Sequence, residues 1–152
     1  MKIFLDTSVL VAAFYGEHEH HAASFALLVR QKKQSGFTAA HCLAEVYSVL
    51  TGMPGKDRAT PDEALLFLEN VRERLTLVTL DAVEYAAAVE GAAAAGISGG
   101  GIFDALIGKC ATKAKAGVIC TWNVKHFRRL SVDIAARVKT PGELRDAFST
   151  NP

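Results

Sequence analysis

Four short apolar runs, KIFLD (2–6), FTAA (37–40), LTLVTL (75–80) and GVICT (117–121), punctuate the chain, and longer stretches with helical spacing lie between them. The runs read as strands. The intervening helices are predicted from about Thr7, from about Glu17 to Lys33 with Gly36 closing it, over HCLAEVYSVLTG to Gly52, from Pro61 through VRERL, over the alanine-rich DAVEYAAAVEGAAAA capped by Asp81, and over IFDALIGKCATKAKA. A further short strand at RVK precedes TPGELRDAF. Strands that alternate with helices in this way specify an α/β fold, with a mostly parallel central sheet of four to five strands covered on both faces in three layers. The chain is expected to form one domain over 1–152, because no linker or repeat divides it.

Composition narrows the setting. Half of the residues are hydrophobic and 22% are charged, as in a globular protein that buries a core. Cys42, Cys110 and Cys120 are odd in number and contain no CxxC pair, so neither a disulfide framework nor a zinc knuckle is indicated. No apolar run is long enough to span a bilayer and no signal-like segment opens the chain, so a cytoplasmic setting without a membrane partner is expected. A net charge of +1 removes the overall electrostatic footprint of a nucleic-acid binder. Any such partner would need a local patch, for which Lys109, Lys113 and Lys115, or Lys125, His126, Arg128 and Arg129, are the available cations.

The acids carry the chemistry. In parallel α/β sheets, ligands bind beyond the carboxyl ends of the strands, and Asp6 stands there after the first strand. Glu45 lies about one turn into the helix after the second strand, Asp104 follows the Gly99–Gly101 run near a helix start, and Asn123 follows VICT. Each has an ordinary structural role open to it: a helix cap for Asp6, a wet helix face for Glu45, a dipole partner for Asp104 and a turn for Asn123. Their shared placement predicts convergence. Two carboxylates about 4 Å apart repel by about 4 kcal/mol at an effective dielectric of about 20, against a folding margin of about 5–15 kcal/mol. An all-oxygen cluster at a solvent-open edge would relieve that repulsion by holding a hard divalent cation such as Mg²⁺ or Mn²⁺, and such an ion serves phosphodiester hydrolysis.

With Asp6 in FLDTSVLVAAF, Glu45 in LAEVYSVL, Asp104 in GIFDALIGKCA and the strand-end TWNVKHF, the chain resembles PIN-domain proteins, most of all the VapC toxin branch, from about Lys2 to Phe148. The resemblance implies a metal-dependent endoribonuclease, held inactive by a small antitoxin protein, homodimeric, and cutting RNA to leave the new hydroxyl on the 3′ side. It further implies that Asp6 and Asp104 are the central metal ligands, that Glu45 completes the acidic cluster or orients water, and that Thr7, Ser8 and Thr121 support them through hydroxyls. At the fourth acidic position stands Asn123, neutral and a weaker ligand where many relatives have Asp, which argues for one ion rather than two. A catalytically silent PIN-like module, whose acids only contact a partner protein, is the rival expectation.

Other signals point elsewhere and stop short. EHEHH (17–21) has histidines but no second cluster to complete a zinc site, and it reads as a polar turn. GMPGKD has Asp57 where a phosphate loop needs Ser or Thr, and no strand directly before it. No GxGxxG follows the first strand, and DTSV lacks the second aspartate of aspartyl-phosphate hydrolases. His41 and His126 have no carboxylate partner evident in the sequence.

Overall fold

In the computed structural model, which describes residues 1–149, every strand is short and every strand pairing is parallel. Along the chain the elements are β1 (Ile3–Leu5), α1 (Thr7–Phe14), α2 (His21–Val29), β2 (Gly36–Ala39), α3 (Ala40–Gly52), α4 (Pro61–Arg74), β3 (Thr76–Val78), α5 (Ala82–Ala94), α6 (Gly101–Lys113), β4 (Val118–Cys120), α7 (Val124–Arg128), α8 (Val132–Arg137), β5 (Val138–Lys139) and α9 (Pro141–Ser149). The sheet order is β3-β2-β1-β4-β5. From β1 the chain moves outward to one side through β2 and β3, then crosses to the other through β4 and β5. The crevice where the order reverses therefore lies between the carboxyl ends of β1 and β4.

Burial explains the central strand. Ile3, Phe4 and Leu5 are all buried because β1 has a paired neighbour on each edge and helices on each face. Helices α1, α2, α3 and α4 contact one another, as do α5, α6, α7 and α8, and this gives the expected three-layer α/β/α sandwich. Phe4, Leu5, Val9, Leu10, Val46, Ile107, Ile119 and Phe127 fill the space between the layers. Local rules hold at the ends of helices: Thr60 with Glu63 and Asp81 with Glu84 each form a reciprocal capping box, and Pro61 occupies the first turn of α4.

Two boundaries differ from the sequence expectation. The helix expected over 17–33 is confined to His21–Val29, because Gly16 and the polar EHEH stretch supply no apolar face to pack, and they form turns instead. Gly36 does not close that helix but opens β2, paired with Ile3. A Cβ there would stand 2.7 Å from Leu75 Cδ2 and 2.8 Å from Gln31 Cβ, so close approach rather than helix termination requires glycine. Among the described residues, no helix is long and apolar enough to cross a membrane.

Candidate active site

Asp6 follows β1 directly and caps α1, so its ordinary structural role is real: its carboxylate accepts from the Ser8 amide at 3.4 Å. The same oxygen, Oδ2, also accepts from the hydroxyls of Ser8 at 2.9 Å and Thr121 at 2.8 Å. Those hydroxyls are themselves oriented. Ser8 Oγ accepts from the Trp122 amide at 2.9 Å, and Thr121 Oγ1 accepts from the Asn123 amide at 2.9 Å. Each hydroxyl has one proton, and both protons go to Asp6, so the 3.2 Å approach of the two oxygens to each other is a contact without a shared proton. Backbone amides thus aim two hydroxyls at one carboxylate across the β1–β4 crevice.

The carboxylate is only 2% exposed. Burial pushes its pKa up from the ordinary aspartate value, and the bonds from Thr121, Ser8 and the nearby amides draw it partly back. No cation is among the groups that offset the charge. Its influence extends to both neighbouring thiols, Cys42 at the start of α3 and Cys120 at the end of β4, whose pKa values are raised by burial first and by Asp6 second.

The other predicted acids reach the same edge by different routes. Glu45 stands on α3 one turn after His41, and Glu45 Oε1 lies 2.7 Å from His41 Nε2. The approach lacks hydrogen-bond geometry, so both of these buried atoms stay unsatisfied, as does Thr7 Oγ1. Asp104 lies in the first turn of α6, where an anion is favoured by the helix dipole, and Asp104 Oδ2 meets His126 Nδ1 of α7 at 3.4 Å. The His41 ring stacks on Phe103 at 5.5 Å and 5°. These contacts join α3 to α6 and α6 to α7 around the ends of β1, β2 and β4. On the α6–α7 side is a cavity of about 370 Å³, lined by Asp104, His126 and Arg129 together with Gly96, Ile97, Ser98 and Gly101.

The expected gathering of carboxylates is not realised in the side-chain arrangement. Among the described residues, no group of three or more His, Cys, Asp or Glu is arranged to hold a metal ion. Asp6 faces hydroxyls, Glu45 faces His41 and Asp104 faces His126, so each acid has its own partner. Asn123 is exposed and precedes α7, and its side chain makes no capping bond. The donors nevertheless suit a hard cation: Glu45 Oε1 and Thr7 Oγ1 are buried oxygens lacking a hydrogen bond, and Asp6 is a buried acid offset only by dipoles. The histidine partners escaped the sequence reading. For His41 the signal was present as its i,i+4 spacing to Glu45, whereas His126 and Asp104 are 22 residues apart and meet only through the fold.

A parallel sheet whose reversal point carries an acid after β1, with further acids on the helices after β2 and before β4, defines the class: the PIN domain model matches residues 3–132, and the chain belongs to the PIN domain family. Within that family it is of the VapC type. It is 34% identical over 131 residues to Ribonuclease VapC40 of Mycobacterium tuberculosis, in strains CDC 1551/Oshkosh and H37Rv alike, covering 85% of this chain and 94% of that protein. The crystal structure of PAE2754 from Pyrobaculum aerophilum shares the fold, with a TM-score of 0.62, 12% identity, and 99% and 97% of the two chains covered.

Proposed function

We propose that this chain is a single-domain, Mg²⁺- or Mn²⁺-dependent endoribonuclease of the cytoplasm, the toxin of a toxin–antitoxin pair, acting as a homodimer. The observation that carries the catalytic reading is Asp6, a 2%-exposed carboxylate fed by two amide-oriented hydroxyls and offset by no cation. Structural aspartates are seldom buried in this way unless paired. Kinship with a named ribonuclease supports the substrate class.

In this reading Asp6, Asp104 and Glu45 hold the ion, with Asn123 at the rim. When bound, Mg²⁺ or Mn²⁺ supplies electrostatic stabilisation to the phosphoryl group and acidifies water. The chain's own residues do the rest. Thr121 and Ser8 fix the Asp6 carboxylate, His126 holds Asp104 in place, and the exposed Lys125 and Arg128 of α7, with Arg129 just after it, engage the RNA backbone next to that edge. Lys109 lies farther along α6 and is a weaker candidate for phosphate.

The second reading, a silent binding module, is favoured by the dispersal of the acids among separate partners. Asp6→Asn and Asp104→Asn decide between the two. Loss of metal-dependent RNA cleavage, with the circular dichroism spectrum kept, is the expected result; unchanged cleavage by either variant excludes this site.

A further inference from the structure

The EHEHH stretch is not idle, for it leads into an aromatic stack at the site. His20, the residue before α2, lies face to face with Trp122 at 3.7 Å between ring centroids and 8° between planes. Trp122 is fixed on both sides. Its amide donates to Ser8 Oγ, the hydroxyl that serves Asp6, and its indole Nε1 donates to the fully buried Ser24 Oγ at 2.8 Å. The backbone amide of Trp122 is thereby two hydrogen bonds from the Asp6 carboxylate, while the indole is anchored to α2. His20 is held less tightly: its side chain is 37% exposed and makes no capping bond to α2. His18 stands 5.7 Å away, inclined by 44°, and among the described residues no ring besides Trp122 lies parallel to His20.

We propose that the His20–Trp122 stack is a wall on which an unpaired nucleobase flanking the cut phosphate stacks, continuing the pile of rings on the His20 face. The inference rests on the ribonuclease reading and adds to it a demand for single-stranded substrate at the site. Charge selects a base over a phosphate: Glu17 and Glu19 are exposed on the same segment, and Glu19 Oε1 lies 3.4 Å from His20 Nε2. Carboxylates there repel the sugar-phosphate backbone, tolerate a neutral π face and can accept from exocyclic amino groups. Stacking of a base on an aromatic side chain tolerates any sequence, because every base has a π face.

The chain contains one tryptophan, so its emission reports on the wall alone. The experiment uses Asp6→Asn, to keep RNA intact, with a fluorescein-labelled single-stranded oligoribonucleotide whose anisotropy measures binding while tryptophan emission is recorded in parallel. The expected result is a change in emission that tracks saturation. Adding His20→Ala should weaken binding by roughly 5- to 150-fold, the range of one lost base stack, and His20→Phe, which keeps a flat ring, should restore it to within about threefold. In a background with Asp6 intact, His20→Ala should cut oligoribonucleotides more slowly yet hydrolyse a small chromogenic phosphodiester, which has no flanking base, at the parental rate. Binding with unchanged tryptophan emission, or equal affinity of His20→Ala and its parent, overturns the wall while leaving the nuclease reading intact. A parental protein that neither binds nor cleaves RNA overturns both.

Discussion

Replacing Thr121 by Val removes one hydroxyl from a fully buried position and preserves its volume, so it isolates the bond that Asp6 receives across the sheet. A hydrogen bond to an ionised group contributes about 1.5–3 kcal/mol, and one between neutral groups about 0.5–1.5 kcal/mol. The Asn123 amide loses its acceptor as well, but Asn123 is exposed and water replaces it. Where Asp6 is ionised the variant should lose about 2–3 kcal/mol, which for a chain of this length lowers Tm by about 4–12 °C. In an Asp6→Asn background the same change removes only a neutral bond. A double-mutant cycle should then return a coupling of about 1–1.5 kcal/mol. The sign with pH follows from Asp6. Its folded pKa lies above the unfolded value, so its contribution to stability is full below the unfolded pKa and is lost as pH rises through the folded one. Thr121 favours the ionised form, and its loss raises the folded pKa further. The deficit of Thr121→Val relative to the parent should therefore grow from pH 4 to pH 8. Chemical denaturation at both pH values measures it, and a pH-independent deficit, or a coupling below about 0.5 kcal/mol, refutes the idea that Thr121 answers the Asp6 charge.

Two further outcomes follow from packing and burial. Gly36→Ala should cost about 1–3 kcal/mol, because its Cβ meets the buried Leu75 and Gln31 at 2.7 and 2.8 Å. Gly108→Ala should cost much less by the same denaturation assay, since it meets only the methyl ends of Ile134 and Leu130 and gains helix propensity. The thiols should be inert to Ellman's reagent at pH 8 in the native protein and all react in denaturant. Burial is the leading cause, pushing Cys42 up to about 12 and Cys110 to about 11, with Cys120 raised as well; rapid native labelling of any of them contradicts the burial assigned here.

The sheet was legible because its signal is local. Apolar runs bounded by turn residues mark β1 to β4, and even the two-residue β5 could be read at RVK. Asp6 was legible for the same reason, since a charge after a buried strand in a parallel sheet can only lie at the carboxyl edge. The side-chain partnerships were not. Glu45 and Asp104 could be placed on the correct helices by spacing, but whether their carboxylates face one another depends on rotamers, which no periodicity encodes. The helix at 17–33 was overestimated because its polar first turn was read together with the apolar turns behind it. His20 and Trp122 had no signal at all: the indole and its hydrogen-bond partner in α2 are 98 residues apart.

The bond from Thr121 to Asp6 joins residues 115 apart. A ribosome makes the hydroxyl 115 residues after the acid, and no product that stops between the two can complete the crevice. If the molecule does attack RNA, the cell that synthesises it is shielded during elongation by topology alone, and danger begins when the fourth strand slots in beside the first.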